Sequence, residues 1–225
     1  MSNAIPLHKG SSISPLLDAL VRAEGSAAHP YVHRIVDTPV NAASRALPDL
    51  ADIAYYLCLL HGRHPGVIDH AAGRSTDNGA RAWLVHAADA FAGERAYLTQ
   101  VTVAVGPAPS TSGQADCETI VSQQRHALDM LAQSDRRGCA MGAAMALALD
   151  WRAIRKLLDI AAIRVGMEPA PCSLPHAAET LAVAGAIGGD DGIDRAIQFG
   201  ARQLLAQHRG LWDLMQARAA VRANG

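Results

Sequence analysis

The chain has 225 residues and a formal net charge of −1, with half of its residues apolar and only 4% aromatic. That length allows one sizeable core, or at most two small ones. The balanced charge and the absence of any Lys/Arg-rich run argue against a nucleic-acid surface, and the longest apolar run, residues 139–149, falls far short of the ~20 residues that span a bilayer.

Lysine occurs only as Lys9 and Lys156, a bias that reads as the codon usage of a GC-rich bacterial genome. With few aromatic and β-branched residues, the core must be built from Ala, Leu, Val and Ile, and the fold class is all-α. Cys58, Cys117, Cys139 and Cys172 are widely spaced with no C-x-x-C pair, so neither a zinc ribbon nor a disulfide framework is expected. The opening "MSNAIPLHKGSS" has no apolar run of the kind a secretory signal carries. The expectation is a cytoplasmic protein with reduced thiols, without membrane or nucleic-acid partners.

Seven helices are predicted. Residues 1–12 are expected to fray, and 13–222 to form a single all-helical domain. The first helix runs from Pro15 to Val36, capped by Ser14 and broken near His29–Pro30. The second runs from Pro48 to His64, and the linker 65–78 holds at most a helical turn at 67–72. The third covers 79–105, the turn "GPAPSTSGQ" follows at 106–114, and the fourth covers 115–133. "SDRRG" leads into the fifth, 139–166. "MEPAPCSLP" separates a sixth, 176–187, and "GGDDG" supplies Asp190 or Asp191 to cap the last, 193–222. Short connections predict successive antiparallel neighbours, as in a bundle of about seven helices.

Several polar residues fall on apolar stripes. Glu94 lies on the face of Leu84, Ala87, Phe91 and Leu98. Gln124 lies among Ile120, Ala127, Leu128 and Leu131. Asp150 flanks Leu147, Trp151, Ile154 and Leu158. His61 and His64 continue the face of Leu50, Ala54 and Leu57, and Glu24 follows Leu17, Leu20 and Val21. Buried carboxylates are costly unless paired, protonated or metal-bound. Folding the chain about residues 109 and 137 puts Glu94, Gln124 and Asp150 at one level. His86/Asp89 and His126/Asp129 project outward and read as surface pairs. His70 is expected to be exposed. His208 shares a face with Ile197, Leu204, Leu211 and Met215 and reads as a core or pocket histidine.

The carboxylate-bearing layer resembles the ferritin-like di-iron and di-manganese bundles at the level of architecture. That resemblance implies iron or manganese held by His61, His64, Glu94 and Asp150, with Gln124 and Glu24 orienting the ligands from behind, in an oxidase or hydroxylase. The chain contains no Glu-x-x-His, so the pattern is incomplete. Seven helices in this length are also similar to the haem-oxygenase-like and thiaminase-like bundles, which enclose a small molecule in the bundle core. There Glu94 would act as an acid or base. A third reading makes the layer a structural network in a non-enzymatic protein.

No G-x-S-x-G, H-E-x-x-H, Walker or G-x-G-x-x-G motif is present. Gly138 and Gly142 would serve close helix packing inside the monomer or, alternatively, a homodimer. The strings "LHGRHPGVIDHA", "GPAPSTSGQ" and "SDRRGCAMGAAMALALDW" resemble an uncharacterised bacterial family of helical domains with no assigned activity.

Overall fold

A computed structural model describes residues 13–38, 43–75 and 78–224. The expected fraying of residues 1–12 lies outside the described residues.

Among the described residues the chain is all-α. The helices are α1 (Ile13–Glu24), α2 (Pro30–Val36), α3 (Ala43–His61), α4 (Val67–Arg74), α5 (Asn78–Val105), α6 (Gln114–Ala132), α7 (Cys139–Arg164), α8 (Ala177–Ile187) and α9 (Asp191–Asn224), with a 3-10 turn at Ser26–Ala28. These are nine helices where the sequence predicts seven. The predicted first helix divides into α1, the 3-10 turn and α2, because Pro30 opens α2 at a position where its missing N–H costs nothing. The expected turn at 67–72 is the separate helix α4. Pro48 lies inside α3 and does not begin it. So near the helix start, it removes only one backbone bond.

The core is arranged around α7, which touches every other helix. From Met141 to Ala148 each of its residues is buried, as expected of a helix apolar on all sides. Its small side chains permit this crowding, most of all against α9. A Cβ on Gly142 would lie 2.0 Å from the Ile197 carbonyl oxygen, and one on Gly200 would lie 2.0 Å from that of Cys139. The two backbones meet where these glycines face each other's helices, so Gly142 packs inside the monomer. Gly142→Ala is expected to destabilise by about 1–3 kcal/mol through forced separation of α7 and α9, seen as a lowered urea midpoint. A neutral result would contradict the close approach.

One predicted neighbour relation fails. α6 packs on α3, α7, α4 and α9, and not principally on α5. The loop 106–113 carries the chain across α3, so α5 and α6 do not form a hairpin. The buried face of α6 is accordingly Val121, Leu128, Leu131 and Ala132, while Ile120 and Ala127 are exposed. With so few apolar residues, α6 turns the face that its actual neighbours require.

Candidate functional site

Two polar clusters share the level of the Asp150–Trp151 pair in α7, turned to different sides of it. On the first side, Asp150 is buried and its carboxylate receives three donors. The Ser26 backbone N–H donates to Oδ1 at 2.7 Å, and the Ser26 hydroxyl donates to Oδ2 at 2.6 Å. His208 Nδ1–H, from α9, donates to Oδ2 at 2.6 Å. The 3-10 turn exists to bring Ser26 here. Gly25, just before it, admits the carboxylate, since a Cβ there would meet Asp150 Oδ1 at 2.6 Å. Trp212 Nε1–H donates to Ser26 Oγ at 2.8 Å, and His29, capping α2 through Nδ1, meets Asp213 at 3.1 Å.

His208 then reaches His61, the last residue of α3, through a 2.9 Å contact between the two Nε2 atoms. Two imidazole nitrogens at that distance hold one proton between them. With His208 as the neutral tautomer that carries its proton on Nδ1, toward Asp150, its Nε2 is the acceptor and His61 Nε2–H the donor. That leaves the lone pair of His61 on Nδ1, which takes no hydrogen bond among the described residues.

His61 sits edge-to-face with Trp151 at 5.5 Å and Phe91 at 6.4 Å. Burial among these rings holds its imidazole pKa well below the usual 6.5, and the charge of His208, whenever that ring carries one, and that of Arg95 push the same way. The ring lines a cavity of about 20 Å3 beneath the α3–α4 turn, beside Arg63, Gly66, Arg125 and Asp129. That volume accepts one water.

The sign of the resulting pH dependence is fixed. Unfolded, His61 titrates near 6.5; folded, it stays neutral to lower pH. Below 6.5 the unfolded chain binds the extra proton. Stability is therefore full above 6.5 and falls as pH drops from there toward the folded value, by at most about 1.4 kcal/mol per pH unit for one proton. Urea unfolding between about pH 7.5 and 5.5 is expected to show this slope, and His61→Phe to flatten it. A wild-type stability that rises on acidification would contradict the assignment.

On the other side of α7 lies Glu94 of α5, equally buried. Its Oε2 accepts from Trp151 Nε1 at 2.9 Å and its Oε1 from Arg155 at 2.7 Å. Arg155 continues to Asp159 at 2.7 Å and to the Ala170 carbonyl, and lies over the Tyr97 ring. Tyr97 donates to Asp159 at 2.8 Å, and burial, with that bond, pushes its phenol up to about 12. Both Glu94 oxygens are occupied and paired in a structural network, and the Cys172 thiol meets the same carboxylate. Glu94→Gln is expected to lower stability by about 2 kcal/mol, since it removes the charge that Arg155 faces. An unchanged denaturation midpoint would contradict the pairing.

The remaining predicted residues lie elsewhere. His64 is exposed on the α3–α4 turn, 3.4 Å from Asp69, which also pairs with Arg95 at 2.9 Å. Gln124 donates to the Gln207 carbonyl at 3.2 Å, against Gly210 of α9, far from the role of orienting Glu94. Glu24 is part-exposed and meets Arg209 at 3.5 Å. His86 is exposed and meets Glu179 at 3.9 Å, and His70 is half-buried in α4. The structure thus brings His61 and Asp150 into one chain, but only through His208. Among the described residues no three His, Cys, Asp or Glu side chains converge as metal ligands.

Ser26 carries no signal in the sequence, whereas Trp212 lies on the α9 stripe between His208 and Met215. A second buried cluster lies outside the sequence reading: Asp52 of α3 receives Arg218 of α9 at 2.9 and 3.0 Å and also meets Arg222. The place of Arg218 three residues beyond Met215, on the α9 stripe, was the available clue.

Fold and site together define an all-helical protein with a buried carboxylate–imidazole–imidazole chain and no helix long and apolar enough to cross a membrane among the described residues. The sequence matches the family of unknown function DUF6975 over residues 21–223, and the chain belongs to that family. All three strings that carry the resemblance to an uncharacterised domain family lie within this span. Comparison with curated proteins and with solved structures finds no match.

Proposed function

We propose that this bundle performs metal-free acid–base chemistry, with Asp150, His208 and His61 as a proton relay and His61 Nδ1 as the base that meets a water, or the X–H tip of a small molecule bound outside, at the α3–α4 turn. The carrying observation is the Nε2-to-Nε2 contact at 2.9 Å, which leaves Nδ1 of a ring that lines the cavity without a protein partner among the described residues. A donor X–H at that cavity gives its proton to His61 Nδ1. The Nε2–H of His61 passes to His208 Nε2. The positive charge then rests on His208, beside the Asp150 carboxylate, where a buried charge is paired and hydrogen-bonded.

The donor inventory supports this reading over a metal centre. Asp150 spends both oxygens on three donors, and His208 uses both nitrogens. A single imidazole nitrogen is left over, too few for an iron or manganese site. The pairing of both Glu94 oxygens supports a structural role for the other half of the layer.

A fragment screen read on the His61 ring resonances tests the proposal. Binders at the α3–α4 turn are expected to shift His61 in the wild type, and to shift it less once His208→Gln breaks the relay. A screen in which nothing moves His61 would overturn the proposal, as would near-stoichiometric iron or manganese in protein expressed with both metals.

A further inference from the structure

A second cavity, of about 250 Å3, opens where α4 ends and α7 begins, and the relay makes no use of it. Its floor is apolar, formed by Ala71, Leu84, Met141, Ile187 and Ile193. Its rim carries Arg74 and Arg137, with Arg136 beside them turned over the Phe199 ring at 5.9 Å, and among the described residues a single carboxylate, Asp135. Arg74 is aimed by a 2.8 Å bond to the Gln133 carbonyl, and its other edge meets Asp135.

The Asp135 side chain is 95% exposed. So exposed an ion pair contributes little, and Asp135 occupies a position that an incoming anion can take. Asp190, which feels the Arg137 charge, is tied to the start of α9. Asp190 accepts from the Gly192 and Ile193 N–H groups at 2.7 and 3.0 Å, and Asp194 from the Gly189 N–H at 3.3 Å. The first turn of α7 faces the same space through Ala140 and Met141, behind Gly138 in the left-handed region at φ +94°. First-turn N–H groups have no carbonyl four residues back in their own helix and favour negative charge. An apolar floor, a cationic rim and a helix start on one cavity of this size match a small ligand with a charged head and a short tail.

We propose that this cavity binds a small soluble amphipathic anion, its phosphate or carboxylate head between Arg74, Arg137 and the start of α7 and its short aliphatic tail on Leu84, Met141 and Ile187. Bidentate guanidinium contacts suit either head.

Calorimetric titration of the full chain with hexyl phosphate, hexanoate, inorganic phosphate and hexanol tests this, beside sedimentation with phosphatidylglycerol vesicles. Hexyl phosphate or hexanoate is expected to bind at least tenfold more tightly than either inorganic phosphate or hexanol, because head and tail are both recognised. The double variant Arg74→Ala/Arg137→Ala is expected to lose at least tenfold in that affinity while its circular dichroism and urea midpoint stay as in the wild type. Ile193→Ser is expected to weaken the alkyl ligands and leave inorganic phosphate unchanged. Equal affinity for inorganic phosphate and hexyl phosphate would overturn the proposal, as would affinity unchanged in the arginine variant or no binding by either alkyl anion. Vesicle binding without binding of the soluble anions would assign the arginines to a lipid surface and overturn it too.

Discussion

Asp52→Ala is expected to lower the unfolding free energy by about 3–5 kcal/mol, the cost of leaving a buried charge without its partner. Asp52 is fully buried and Arg218 is 2% exposed. Arg218 Nε donates to Oδ2 at 3.0 Å and Nη2 to Oδ1 at 2.9 Å, a two-point contact that fixes α3 against α9. Without the carboxylate, Arg218 keeps among the described residues the Pro109 carbonyl at 3.3 Å, the face of Tyr56 at 5.0 Å and the Cys117 sulfur. None of these neutralises a guanidinium out of water. Arg222→Ala is expected to cost less, since Arg222 is the more exposed partner and Asp52 then retains Arg218. Urea denaturation checks both. A midpoint for Asp52→Ala near that of the wild type, with the same slope, would mean that the pair is hydrated after all.

Asp150→Ala is expected to cost a similar amount, about 3–5 kcal/mol, by a different route. It strands the Ser26 backbone N–H, the Ser26 hydroxyl and the His208 Nδ1–H, all buried and all now bonded to this one side chain. The hydroxyl can turn elsewhere, but the backbone N–H and the imidazole cannot without moving the 3-10 turn or α9. Asp150→Asn is expected to fall between the wild type and alanine. Its one remaining oxygen serves some donors, while its amide N–H2 points at another. A stable Asp150→Ala protein with unchanged His208 ring resonances would show that the carboxylate does not hold that ring.

Much of the fold is legible because local signals mark it. Pro30 divides α1 from α2, the Pro65–Gly66 pair ends the run after α3, and Asp190 caps α9 by accepting from Gly192 and Ile193. These signals speak of where helices begin and end, and helix boundaries agree with expectation to within a few residues for α5 to α9. They say nothing of which helices touch. The level shared by Glu94 and the Asp150–Trp151 pair follows from helix length, yet the side of α7 to which each turns depends on packing around a helix that is apolar nearly all round. Gln124 leaves the shared level for the same reason, because α6 follows a loop across α3 and not a hairpin back along α5. His208 lay on a visible stripe, but the stretch from 165 to 192 gave no way to set its depth against His61. Ser26, in a three-residue turn, has no periodicity to read.

The most direct test of the relay is the protonation state of its two rings, measured by imidazole 15N–1H correlation spectra at neutral pH. The relay requires rings of opposite tautomer: His208 carrying its proton on Nδ1, toward Asp150, and His61 carrying its proton on Nε2, toward His208. His61 should begin to titrate only well below 6.5. A His61 that is an imidazolium at neutral pH, or that carries its proton on Nδ1 and so has no free lone pair there, would contradict the relay.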